Sequence, residues 1–168
     1  MRLNELRDYI ESELAVSRFR DYCPNGLQVE GRAEVRRIAT GVTASQAVLE
    51  AATVWGADAI LVHHGYFWRS EDAAITGIKK RRVAHLLKHD ISLLAYHLPL
   101  DAHPLLGNNA QLGERLGFIE RGRFGEQDIA MHGSLAQPQT LQQLVRHIQH
   151  TLQQEPRVIG HANPDIAR

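Results

Sequence analysis

Two adjacent imidazoles, His63 and His64, directly follow the apolar run Ala59-Ile60-Leu61-Val62, and His97 and Asp101 follow a second such run, Ile91 to Tyr96. Short apolar runs bounded by turn residues read as buried strands of a parallel sheet, and open α/β sheets place ligand-binding groups just past the carboxyl ends of such strands. Two strand ends thus deliver three imidazoles and one carboxylate. That donor set suits zinc, iron or manganese and points to a divalent-metal centre rather than a nucleophilic triad. The plainer reading is that neighbouring histidines at a strand end are satisfied polar residues at the rim of a core. Successive strand residues also point to opposite faces. His63 and His64 therefore serve one ion only if the chain turns at once, or two ions on either side of the turn, with Gly65 supplying flexible backbone.

Several elements must position these side chains. Leu3, Leu6, Ile10 and Leu14 recur at helical spacing and predict a first amphipathic helix, ending before Phe19 to Cys23. Pro24-Asn25-Gly26 reads as a turn, followed by strands over Leu27 to Glu30 and Arg37 to Val42, joined by the hairpin-like segment 31–34. Thr43 with Gln46 forms a predicted capping box for a helix that buries Val48, Ala51, Ala52 and Trp55 and ends at Gly56. The strand Ala59 to Val62, a helix from Thr76 to Lys88 and the strand Ile91 to Tyr96 make a βαβ unit. Its right-handed crossover brings both strand ends to one sheet edge. A short helix over Asn108 to Leu116 is closed by Gly117. A domain boundary is expected near residues 120–126, giving an α/β metal-binding domain over 1–124 and a partial second α/β unit over 125–168. The second unit is predicted to hold a strand from Asp128 to Leu135, a helix capped by Thr140 with Gln143 and faced by Leu141, Leu144, Val145, Ile148 and Leu152, and a strand starting at Arg157 to Ile159. With one helix and few strands it reads as incomplete, and the helix face is expected to seek a partner. The expected fold class is three-layer α/β/α with a mixed, largely parallel sheet.

Composition excludes other functions. Nineteen basic residues balance nineteen acidic ones, so no global field recruits nucleic acid or an anionic membrane. The single cysteine, Cys23, excludes an internal disulfide and a Cys-rich zinc finger and fits a reducing, cytoplasmic compartment. The charged N-terminus does not read as a signal peptide, and no apolar run approaches the ~20 residues of a membrane span. Neither G-x-S-x-G, a Walker loop nor a dinucleotide-binding glycine fingerprint is present. His85 and His89 lack the glutamate of a zinc-protease helix and read as solvated or capping residues, and His147 and His150 as a wet face. The run Lys79-Lys80-Arg81-Arg82 reads as solvent-facing in preference to a phosphate site, and Tyr66-Phe67-Trp68 as core or oligomer contact in preference to a stacking platform.

Four stretches in order, Tyr22-Cys-Pro-Asn-Gly-Leu-Gln-Val-Glu-Gly31, Thr40-Gly-Val-Thr-Ala-Ser45, Gly56-Ala-Asp-Ala-Ile-Leu-Val-His-His-Gly65 and His97-Leu-Pro-Leu-Asp-Ala-His-Pro104 followed by Gly107-Asn-Asn109, closely resemble the Nif-three-like family. The similarity is to its bacterial YbgI branch, often labelled GTP cyclohydrolase I type 2 homologues, over about residues 1–118. The resemblance implies a ring-shaped homo-hexamer with a site for two divalent ions, whether zinc, iron, manganese or magnesium. By position, His63 would hold one ion, and His64 and Asp101 the other. His97 falls beside them, with a proton-transfer role implied. The family completes its site with a further histidine and a bridging glutamate near the C-terminus, which this chain lacks, so it is expected to be truncated, or to have lost that half, and to bind metal more weakly. Two functions remain open: hydrolysis of a small, nucleotide-like substrate, or a non-catalytic metal-binding scaffold or regulatory partner.

Overall fold

A computed structural model describes residues 1–160 and the backbone of Asp165 and Ile166. The chain divides into two compact units, Met1–Leu100 and Asp101–Arg168. In the first, strands β1 (Gly26–Val29), β2 (Ile38–Thr43), β3 (Ala59–His64) and β4 (Ser92–Ala95) form one sheet in the order β1-β4-β3-β2. β2, β3 and β4 run parallel, and β1 is antiparallel to β4. Period-two alternation sends Ile60, Val62, Leu93 and Ala95 to one face, where Leu49 and Ala52 of α2 (Gln46–Trp55) and Val83 and Leu86 of α3 (Gly77–His89) cover them. Ala59, Leu94 and Tyr96 pack on the other face against Leu3 and Leu6 of α1 (Leu3–Glu13). Two apolar layers flank the sheet, so the expected three-layer mixed α/β architecture is present in this unit.

Three local expectations are corrected. β1 and β2 do not form a hairpin but lie on opposite edges of the sheet. Tertiary anchors take the intervening chain away: Gly31 N donates to Ser92 Oγ at 3.0 Å, Arg36 N and Arg37 N both donate to Asp58 Oδ2 at 2.9 Å, and Arg32 Nη1 donates to Asp58 Oδ1 at 2.8 Å. The N-cap of α2 is Ser45, whose side chain accepts from Val48 N, because Thr43 is still in β2, paired with His64. The helix accordingly buries Leu49 and Ala52 and leaves Trp55 55% exposed, with the Arg37 guanidinium over its ring. Finally, β3 runs on through His63 and His64, so the pair ends the strand and does not follow it. Gly56, at φ 76°, closes α2 as expected, in the left-handed conformation that a Cβ disfavours.

The division between the units falls within the short helix α4 (Leu98–Ala102). The second unit holds α5 (Asn108–Arg115), an antiparallel hairpin of β5 (Phe118–Phe124) and β6 (Ala130–Leu135), and α6 (Leu141–Leu152), with β7 (Gln139–Thr140) paired to β8 (Asp165–Ile166). The capping box of α6 forms: Gln143 N donates to Thr140 Oγ1, and Thr140 N to Gln143 Oε1. Its apolar face is half-buried. β5 has no counterpart in the sequence expectations, and residues 157–159 are irregular, where a strand was expected. The terminal stretch His161 to Arg168, apart from the β8 backbone, lies outside the described residues. Among the described residues no helix is long and apolar enough to cross a membrane.

Candidate metal centre

β3 outlasts β4: their last paired residues are Val62 and Ala95, and beyond them β3 continues as His63-His64 while the other chain turns through Tyr96 and His97 into α4. At this sheet edge the opposite-face rule for neighbouring side chains no longer separates the rings. The His63 and His64 centroids lie 4.4 Å apart, and His97 sits 4.9 Å from His63 and 5.7 Å from His64. One ring nitrogen from each histidine falls within 4.8 Å of the other two, and all three side chains are partly buried. Neither an immediate turn nor a special backbone angle at Gly65 is needed for this convergence. Gly65 is required for space instead: a Cβ there would stand 2.2 Å from Gln28 Oε1 and 2.6 Å from the Ala95 Cβ.

Hydrogen bonds orient the rings. His63 Nδ1 lies 3.0 Å from the Tyr96 carbonyl, which only accepts, so Nδ1 carries the hydrogen and Nε2 the lone pair of the neutral ring. His97 Nδ1 lies 2.9 Å from Asp21 Oδ1, and its backbone N donates to Asn25 Oδ1 at 2.7 Å. His64 Nδ1 sits 3.3 Å from Thr43 Oγ1. Trp68 closes one side edge-on, 4.9 Å from His97 and 6.0 Å from His64. Burial alone would push the Asp21 carboxyl up, but hydrogen bonds from Asn25, His97, Leu98 N and Tyr22 N hold it below the ordinary carboxylate range. Nitrogen donors with carbonyl and carboxylate partners on their far ring atoms are the usual arrangement around a divalent ion, so the residues present fit one.

Asp101 lies in α4, within the second unit, where its Oδ1 accepts from Asn108 Nδ2 at 2.7 Å. Asp21, Cys23, Asn25 and Gln28 are not among the site residues expected from the sequence, although they fall in or beside the Tyr22 to Gly31 stretch. The signal was an acidic residue and an asparagine flanking a Cys-Pro turn, and only the fold brings them to His97. Tyr66, expected in core or contact, is core: its hydroxyl donates to Ala44 O at 2.8 Å. The basic run departs from a solvent-facing stripe at Lys79, whose buried Nζ meets Glu71 Oε2 at 3.3 Å, the Asp72 carbonyl and the Phe67 ring. A largely apolar cavity of about 780 Å³ in the second unit, lined by Leu105, Leu112, Leu116, Phe118, Ile129 and Met131 among others, brings together no comparable donor set among its described residues.

A model of the Duf34/NIF3 (NGG1p interacting factor 3) family matches residues 1–168. A protein of Neisseria meningitidis serogroup B called "GTP cyclohydrolase 1 type 2 homolog" is 52% identical over 165 residues, covering 96% of this chain and 66% of that protein. The like-named Escherichia coli K12 protein is 45% identical over 168 residues, 100% of this chain and 67% of its own. Among solved structures, protein ybgI, described as of unknown function, superposes with a TM-score of 0.90 at 46% identity, covering 94% of this chain and 63% of its own. TTHA1606 from Thermus thermophilus gives 0.85 at 33%, over 94% and 64%. The chain thus spans about two thirds of the length of the curated relatives it matches. The likeness continues well past residue 118, beyond the four motifs.

Proposed function

The chain belongs to the Duf34/NIF3 family, and from that premise we propose that it binds divalent metal at His63 and His64, beside His97, and contributes this site to a hydrolase acting on a small, nucleotide-like substrate. The observation that carries the reading is the convergence of three ring nitrogens within 4.8 Å at one sheet edge. The substrate class follows the name of the relatives, GTP cyclohydrolase 1 type 2 homolog. In this proposal His63 holds one ion and His64 with Asp101 a second, and the protein works as the family's homo-hexamer in the cytoplasm. Bound metal would supply a water of near-neutral pKa and positive charge for a developing oxyanion. The protein's own groups do the rest. His63 keeps its lone pair on Nε2 by giving its Nδ1 hydrogen to Tyr96 O, His97 moves a proton through Nε2, and Trp68 excludes solvent from one side.

The test is metal content and GTP hydrolysis measured together on the metal-loaded protein and three variants. His64→Ala and Asp101→Ala should lose metal and rate alike. His97→Ala should keep its metal and lose ~10²–10⁴-fold in rate, the usual contribution of a proton-transfer group. Full metal occupancy in the His64→Ala/Asp101→Ala double variant overturns the ligand assignment. Turnover no higher than a metal-free control in any form overturns the hydrolase reading and leaves a metal-binding scaffold.

A further inference from the structure

Asp21 has a nearly inaccessible side chain, 3% exposed, and its carboxylate is saturated with donors. Oδ1 accepts from Tyr22 N at 2.6 Å as well as from His97 Nδ1, and Oδ2 accepts from Asn25 Nδ2 and Leu98 N, each at 2.9 Å. An ionised carboxylate can only accept, so the hydrogen at His97 must sit on Nδ1. Cys23 Sγ, 4.0 Å from Asp21 Oδ1, completes a second set, Asp21-Cys23-His97, whose atoms also lie within 4.8 Å of one another. An ion there would have to displace donors from a carboxylate that already serves four N–H groups, strip the hydrogen from His97 Nδ1 and ionise a buried thiol. The cluster is built to orient rather than to ligate.

We propose that Asp21 is a positioning residue of the imidazole cluster: it locks His97 as the Nδ1–H tautomer, so that Nε2 is the nitrogen presented to a substrate proton. The inference rests on the reading of that cluster as the site. A carboxylate is needed because an amide at position 21 offers one acceptor oxygen and one donating NH2. With the amide oxygen in place of Oδ1, the NH2 would face both Asn25 Nδ2 and Leu98 N. With the NH2 in place of Oδ1, it would face Tyr22 N and His97, and His97 alone can yield, by moving its hydrogen to Nε2. Asp21→Asn should therefore switch the His97 tautomer.

Long-range ¹H–¹⁵N correlations of the imidazole nitrogens in metal-free protein, above the pH at which the rings titrate, read the tautomer directly. Wild type should show His97 protonated at Nδ1, and Asp21→Asn predominantly at Nε2. Zinc affinity of the variant should stay at the wild-type value, because His63, His64 and Asp101 hold the ions in the proposed arrangement and His97 does not. Asp58→Asn, which alters another buried carboxylate with two backbone N–H partners, should change neither readout. A wild-type His97 protonated at Nε2 overturns the proposal with no variant needed, as does an unchanged tautomer in folded Asp21→Asn. Absent GTP turnover would overturn the hydrolase reading alone, because neither readout involves catalysis.

Discussion

Four of the histidines show how one residue type divides between scaffold and site. Thr53 Oγ1 gives its hydrogen to Leu49 O, so at 2.8 Å from His85 Nε2 it can only accept, and His85 is spent as a donor between α3 and α2. His103 Nδ1 accepts from Leu105 N and Leu106 N, spending its lone pair on the backbone. His63 and His97 instead donate from Nδ1 to fixed acceptors and carry the ring lone pair on Nε2. Beside them, Cys23 is 8% exposed, and burial, reinforced by the charge of Asp21, pushes its thiol up to about 11. At neutral pH the native protein should react with iodoacetamide roughly 100-fold or more slowly than the unfolded chain, whose thiol titrates near ~8.5. Equal alkylation rates in native and denatured protein, followed by mass spectrometry, would contradict this environment.

At the level of elements, the strand end that carries the imidazoles depends on a side-chain brace from β1. Gln28 Oε1 accepts from Tyr66 N at 2.7 Å while its Nε2 donates to Pro24 O at 2.8 Å, tying the 22–31 stretch to the segment after β3. The brace passes where a side chain on residue 65 would be. Gly65→Ala should therefore displace Gln28 and strain Ala95, costing about 1–3 kcal/mol as overpacking does, and should weaken zinc binding because Tyr66 lies two residues from His64. By contrast, Gly113, where a Cβ meets open space, should accept alanine without loss. Urea unfolding of both variants compares them directly. A Gly65→Ala protein as stable as Gly113→Ala would show that the contact relaxes without cost.

For the molecule as a whole, Asp58, at the entrance to β3, ties the segment leading into β2 to the start of β4. It accepts from Arg36 N, Arg37 N and Arg32, while its carbonyl accepts from Ser92 N. Burial raises its carboxyl, but the two backbone N–H groups and the Arg32 charge outweigh it and hold the group below the ordinary range. A depressed native value means the unfolded state binds the proton more readily. The stabilisation is then complete above the unfolded value, ~3.9, and is lost as the pH falls through the lower native one. Stability should be flat from about pH 5 to 7 with respect to this group and decline below about pH 4. Asp58→Asn should cost about 1.5–3 kcal/mol at neutral pH, as lost charged hydrogen bonds do, and show a shallower acid decline. Melting followed by circular dichroism across this pH range measures both, and an unchanged acid slope in the variant would remove Asp58 as a cause.

The periodicity of Leu3, Leu6 and Leu14, the apolar runs at 59–62 and 91–96, and Thr140 with Gln143 were legible because each encodes its element locally: a burial pattern or a cap needs no distant residue. The histidine pair was visible for the same reason, standing at the end of a run whose strand could be read. Residues 31–34 looked like a hairpin because nothing nearby reveals that Ser92 and Asp58 take the backbone groups of Gly31, Arg36 and Arg37. β5 was invisible, since Phe118, Ile119 and Phe124 are all partly exposed around a polar middle and no alternation marks a buried face. The geometry of the centre was likewise decided only in three dimensions. β4 stops two residues short of β3, which lets neighbouring imidazoles meet over the sheet edge, and Asp21, 76 positions before His97, sets which nitrogen that ring presents. Local pattern determined the strands and the candidate donors. Long-range hydrogen bonding, which sequence spacing does not encode, determined how they face each other.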